Sequence, residues 1–219
     1  MLKLCIFDMD GTVVNSLTSI AYFSNRTLEQ HGFLPYPEED YKQMVGNGAA
    51  KLVERMVKGR NGTAEQQQAV YHDYVAAYDA DPMYLAAPYD GILDMLRALR
   101  DRGVAIAILS NKPHTTTRSI AKQLFGPLVD ACVGGRSDLP LKPAPDAVFQ
   151  LMQLFGVSAD ECLYIGDTGT DMQTAENAGL FSVGVTWGFR DEAELRAAHA
   201  HAIIHTPQEL LQVADTYVL

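Results

Sequence analysis

The stretch LKLCIFDMDGTVVNS, Leu2–Ser16, closes an apolar run with two carboxylates one residue apart, Asp8 and Asp10, and follows them with Gly11-Thr12. Leu2 to Phe7 reads as a strand buried on both faces, because a short apolar run that stops at a Gly-containing turn is the pattern of a parallel-sheet interior. A turn accounts for Gly11 but does not call for two acids. Like charges this close repel each other and must be desolvated together, so the cost points to a partner cation. A turn and helix-cap pair would leave the same residues; the two readings separate on whether the rest of the chain supplies partners.

Further apolar runs follow at Val104–Leu109, at Ala131 (weakly), and at Cys162–Ile165, Phe181–Val185 and Ala202–Ile204. Between them Ile92, Met95, Leu96 and Leu99 repeat at helical spacing and stop before Gly103, and Val148, Leu151, Met152 and Phe155 do so before Gly156. Strand-helix alternation of this kind predicts an α/β parallel sheet with helices on both faces. From Ser16 to Tyr84 the alternation breaks into helix patterns alone. One helix starts with Thr63 and Gln66 at capping-box spacing, and another pair is broken at Gly46-Asn47-Gly48. This stretch reads as a helical insertion after the first strand.

In an open parallel sheet, ligands bind beyond the carboxyl ends of the strands. The first strand delivers Asp8 and Asp10 there, and the second delivers Ser110 and Asn111. CLYIGDTGTDM delivers Asp167 and, one turn into a helix, Asp171; the Pro-framed LPLKPAP supplies Lys142. Four acids against that one lysine predict a hard divalent cation, and oxygen ligands beside a phosphate suit Mg²⁺. Ser110, Asn111 and backbone N–H groups can then donate to phosphate oxygens. Each residue also has a plainer reading. Lys142 can be a solvated loop lysine, Asp171 a helix N-terminal acid and His114 a surface histidine. Asn47, Lys51 and Arg55 either face the site or sit on solvated helix positions, and Trp187 either walls the pocket or packs the last helices.

DMDGT, LSN, the lysine of LKP and GDTGTD stand in the order of the four signatures of haloacid dehalogenase-like hydrolases, and FDMDGTVVNS, VGNGAAKL and GDTGTDMQTAENAG carry the resemblance to one branch. The chain resembles that family over essentially its whole length, nearest to its phosphoglycolate phosphatase-like branch. The resemblance implies a Rossmann-like core of residues 1–15 and 85–219 with a small helical cap domain over residues 16–84. It implies that Asp8 attacks phosphorus and that Asp10 shuttles the proton. Asp8, the backbone carbonyl of Asp10, Asp167 and Asp171 would hold Mg²⁺, and Ser110 and Lys142 the phosphoryl group. Thr12 would orient the loop, and Asn47 and Lys51 would select the substrate. Asn15 departs from the usual Asp, outside the chemistry. The expected activity is hydrolysis of a small-metabolite phosphomonoester, 2-phosphoglycolate first. Sugar phosphate hydrolysis or phosphomutase chemistry is the alternative within the family, and a non-catalytic or receiver-like phospho-acceptor the alternative outside it.

A net charge of −10 gives no support to binding of nucleic acid or of an anionic membrane surface. No apolar run approaches the length of a membrane span and no leader pattern precedes the first strand, so a cytoplasmic protein is expected. Cys5, Cys132 and Cys162 form no close pair in sequence and read as small core residues. A monomer or a homodimer is expected.

Overall fold

The computed structural model describes residues 1–217; Val218 and Leu219, the last two residues of the expected core segment, lie outside it. In chain order the elements are β1 (Leu4–Phe7), β2 (Val14–Asn15), α1 (Leu17–Gln30), α2 (Tyr41–Met44), α3 (Ala49–Lys58), α4 (Ala64–Ala80) and β3 (Ala87–Pro88). They continue with α5 (Ile92–Asp101), β4 (Ala105–Pro113), α6 (His114–Phe125), β5 (Ala131–Gly135), α7 (Asp146–Phe155) and β6 (Cys162–Gly166). The last are α8 (Gly169–Ala178), β7 (Phe181–Val185), α9 (Glu192–Ala197), β8 (Ala202–Ile204) and α10 (Glu209–Thr216).

Six strands form one parallel sheet in the order β5-β4-β1-β6-β7-β8. β1 lies at its centre, with Leu4 opposite both Ala105 and Cys162. Successive side chains of a strand leave on opposite faces, and here both faces are covered. Cys5, Phe7, Ile106, Ile108, Leu163 and Ile165 join a cluster with Met95 and Leu99 of α5, Ile120 of α6 and Leu210 of α10. Leu4, Ile6, Ala107, Leu109, Cys162 and Tyr164 pack on the other side against Val148 and Leu151 of α7 and Ala175 of α8. This is the α/β architecture that the alternation predicts.

Two strand limits differ from expectation. β1 begins at Leu4 rather than Leu2. β4 runs past Leu109 to Pro113, because Pro113 pairs with Gly135 after an irregularity in register. Ser110, Asn111 and Lys112 therefore belong to a strand end and not to a loop.

Residues 16–84 contain helices and no strand, and they have an apolar cluster of their own. It gathers Phe23 and Leu28 of α1, Val53 and Met56 of α3, and Val70, Tyr74 and Tyr78 of α4. The Thr63–Gln66 capping box opens α4 as its spacing predicts: Gln66 N donates to Thr63 Oγ1 at 3.2 Å and Thr63 N to Gln66 Oε1 at 2.9 Å. Where the chain leaves for the helices and where it returns, β2 and β3 pair antiparallel, Val14 with Pro88 and Asn15 with Ala87. Two-residue strands carry no periodicity, so this neck is not legible in the sequence. All three cysteines are free, with Cys5 and Cys162 buried in the core and Cys132 half-buried. Among the described residues no helix is long and apolar enough to cross a membrane.

Candidate active site

β1 is flanked by β4 on one side and β6 on the other, so the chain reverses its direction of winding there, and the crevice beyond the carboxyl ends is the expected ligand site. Asp8 leaves β1 into this crevice, Asp167 leaves β6, and Asp171 stands at the start of α8. All three are buried, and each offers a carboxylate oxygen within 4.8 Å of the others. Local structure fixes each one. Met9 N donates to Asp8 Oδ1 at 2.6 Å. Asp167 accepts from Thr12 Oγ1 and from Phe189 N, both at 2.8 Å. Asp171 closes a capping box with Thr168, whose hydroxyl donates to Asp171 Oδ2 at 2.7 Å. The helix-cap reading of Asp171 is thus true, but it leaves Oδ1 for the site.

Lys142 enters from the loop before α7 with its side chain almost wholly buried. Its ammonium lies 2.8 Å from Asp8 Oδ1 and 2.7 Å from Asp171 Oδ1. Those two carboxylates hold its pKa well above the usual lysine value against the opposing pull of burial. One cation does not balance three acids. Burial, then the charge of Asp171, pushes the Asp8 carboxyl well above its ordinary range, with Lys142 opposing. The same two causes bring Asp167 up to about 7, against the hydrogen bonds from Phe189 and Thr12. Buried, clustered, oxygen-only and short of positive charge, the group fits a hard divalent cation.

Asp10 stands apart from this cluster. Its carboxylate accepts from Ser16 Oγ at 2.6 Å and pairs with the ammonium of Lys112 at 3.1 Å. The acids therefore face two lysines, where the sequence supplied one to the count. The available signal for Lys112 was its place in the chain: it sits two residues beyond Ser110, at the same strand end.

The other expected site residues divide. Ser110 lines the cavity, with its hydroxyl accepting from Lys112 N at 3.2 Å. Asn111 is committed elsewhere: its amide donates to Gly46 O at 3.2 Å and Lys142 O at 3.1 Å, and its carbonyl accepts from Lys142 N at 2.8 Å. With both amide protons in use, the side chain is a strut for the lysine loop and the helical insertion rather than a phosphate donor. Lys51 does not line the cavity; its ammonium pairs with Glu54 at 2.7 Å on an exposed face. Asn47 does not line it either, and instead donates to Thr170 Oγ1 at 3.1 Å while accepting from Arg55 at 2.7 Å. The spacing of GNGAAK placed both residues at the site because their direction depends on how α3 docks, which sequence periodicity does not report. His114 accepts from Gly134 N, and Trp187 donates to Thr12 O at 2.9 Å, bracing the loop that follows β1.

The family model for haloacid dehalogenase-like hydrolases matches residues 2–179. The chain belongs to the haloacid dehalogenase-like hydrolases. This hydrolase is 36% identical over 200 residues to the phosphoglycolate phosphatase of Rhodospirillum rubrum, covering 88% of this chain and 83% of that one. It is 33% identical over 217 residues to the phosphoglycolate phosphatase of Pseudomonas putida, covering 95% and 78%. A crystal structure from Lactobacillus delbrueckii subsp. bulgaricus superposes with a TM-score of 0.93 at 30% identity, covering 96% of this chain and 97% of that one.

Between the sheet edge and the helical insertion the hydrolase encloses a cavity of about 70 Å³. Asp8, Asp10, Ser110 and Lys142 line its floor; Val45, Leu52, Tyr74 and Tyr78 form its roof. A space of that size holds several water-sized groups, which suits a small ligand and excludes a folded one.

Proposed function

We propose that this hydrolase is a Mg²⁺-dependent phosphatase of small phosphorylated metabolites, with 2-phosphoglycolate as its substrate. The observation that carries the reading is Asp8: a buried carboxylate at the central strand end, grouped with Asp167 and Asp171 and touched by Lys142. Relatives named phosphoglycolate phosphatase support the choice of substrate. Residues 1–15 and 85–219 act as the core and residues 16–84 as the cap. Asp8, Asp167, Asp171 and the backbone carbonyl of Asp10 hold the cation. When bound, it supplies positive charge that keeps the three carboxylates ionised and offsets charge on the phosphate.

Asp8 attacks phosphorus and the ester P–O bond breaks, leaving an aspartyl-phosphate. Lys142 and the Ser110 hydroxyl hold the phosphoryl oxygens over which the charge spreads. Asp10 hands a proton to the departing oxygen, then takes one from the water that attacks the aspartyl-phosphate, so the enzyme returns to its starting state. Ser16 Oγ holds the Asp10 side chain for both transfers, and the Lys112 ammonium faces it while it is ionised between them.

Phosphate release from 2-phosphoglycolate, followed with Mg²⁺ and with a chelator, tests the reading. Turnover should stop in chelator and return with Mg²⁺. Asp8→Asn should form no phosphoenzyme, because an amide is a poor nucleophile. Full activity without metal, or a covalent phosphoenzyme in Asp8→Asn, would overturn it.

A further inference from the structure

Of the cationic side chains, two line the cavity, Lys142 and Lys112. Lys142 lies between Asp8 and Asp171 and is accounted for by the phosphoryl centre. Lys112 is not. Its side chain is 8% exposed, and a buried ammonium is kept only where its charge and all its protons are answered. One proton goes to Asp10 at 3.1 Å and one to the phenol oxygen of Tyr78 at 2.7 Å, with the ring centroid 4.2 Å away. An ammonium has three donors. The third, and the Tyr78 hydroxyl proton left over once that oxygen accepts from Lys112, have no partner among the described residues. Asp79, the other acid at this wall, is engaged by the hydroxyl of Thr116.

We propose that Lys112 and Tyr78 form the subsite for a second anionic group on the substrate, a carboxylate, and that Lys112 takes the selecting role expected of Lys51. The inference rests on the phosphatase reading above and deepens it. Ser110 and Lys112 both line the cavity and lie two residues apart at the end of β4, a separation of roughly 6.6 Å along an extended chain. A phosphoryl group at Ser110 and an anion at Lys112 are thus separated by a two-carbon ester with the carboxylate at its far end. Val45, Ala49 and Leu52 in the roof offer nothing polar to a longer polyol chain. Because Lys112 comes from the core and Tyr78 from the inserted helices, the pair is complete only when the two are closed on each other.

The test compares kcat/KM for 2-phosphoglycolate with that for 2-hydroxyethyl phosphate, the same two-carbon ester with an alcohol in place of the carboxylate. A charge-assisted hydrogen bond predicts that Lys112→Met lowers the ratio of the two by about 10- to 150-fold, chiefly through KM. Tyr78→Phe, which leaves the ammonium in place, should lower the same ratio by a smaller factor. On the unmodified enzyme, phosphonoacetate should inhibit more strongly than ethylphosphonate, an arm that stands even where Lys112→Met fails to fold. An unchanged ratio in a folded Lys112→Met, or equal inhibition by the two phosphonates, overturns the subsite. If the unmodified enzyme does not prefer 2-phosphoglycolate, the substrate reading itself fails; if it does and the Lys112 variant keeps the preference, only the subsite fails.

Discussion

A Cβ at Gly188 would run into the backbone oxygen of Gly11 and into the carboxylate of Asp167, and a Cβ at Gly11 would overlap the same carboxylate. Gly11 also sits at φ +83, where a side chain is strained whatever the space. Two backbones thus close on Asp167 from both sides, and Phe189 N and Thr12 Oγ1 complete the grip. Groups that orient a metal ligand are commonly worth 10- to 100-fold in metal affinity. Gly188→Ala should therefore raise the half-activating Mg²⁺ concentration at least tenfold, read from a titration of phosphate release. A variant with an unchanged requirement would show that Asp167 is not held for a cation. At this scale the sequence was legible wherever chemistry is rare in ordinary structure: two acids at a strand end, a lysine between prolines, and acids two and six residues after an apolar run. It was illegible wherever a common residue acts through position alone. Gly188 looks like any loop glycine, and Asn111 like any polar donor, until the backbones that surround them are known.

The segment Val45–Gly48, between α2 and α3, is the part of the insertion laid directly over the sheet edge. Three bonds tie it to the core: Asn111 to Gly46 O at 3.2 Å, Asn47 to Thr170 at 3.1 Å, and Arg190 to Val45 O at 3.1 Å. The closed cavity depends on them together with the Lys112–Tyr78 and Thr116–Asp79 contacts, because the chain itself connects the two parts only through the β2–β3 ribbon. A neutral hydrogen bond contributes about 0.5–1.5 kcal/mol net, which is about a 2- to 13-fold change in a closing equilibrium. Asn47→Ala should lower kcat/KM by that factor and speed amide exchange at residues 45–48. Asn111→Ala should cost more, because it also releases the Lys142 loop. Equal losses in the two variants would mean that the lysine loop stands without its strut. The helices of this insertion were readable from caps and spacing, but their docking was not. An amphipathic pattern says which face is buried and leaves open what the exposed end of the helix meets, so for Lys51 and Asn47 the sequence left a site-facing and a solvated position both open.

Taken over the whole molecule, the acid cluster makes stability depend on pH and on metal together. Asp167 sits at about 7 in the folded metal-free protein, while an unfolded aspartate ionises near 3.9. Between those values the folded state binds a proton that the unfolded state has lost, so stability falls as pH rises from about 4 to about 7. Asp8, raised by burial and by Asp171, carries the same sign. Other groups pull differently. Glu161, brought down to about 2 by Lys3 and Ser158, stabilises above the usual glutamate range and loses that contribution only in stronger acid. Burial lowers the His114 pKa, which makes stability rise with pH below neutrality. Neither contact involves the cluster, so both cancel when melting curves with Mg²⁺ and with chelator are subtracted. Binding the cation requires ionised carboxylates and releases their protons. The stabilisation by Mg²⁺ should therefore be slight at pH 5 and grow through pH 8. The check is a series of thermal melts from pH 5 to pH 8. A Tm difference that stays flat across that range would mean that the cation, if bound, is held away from Asp8 and Asp167, and would move the metal site out of the crevice at the end of β1.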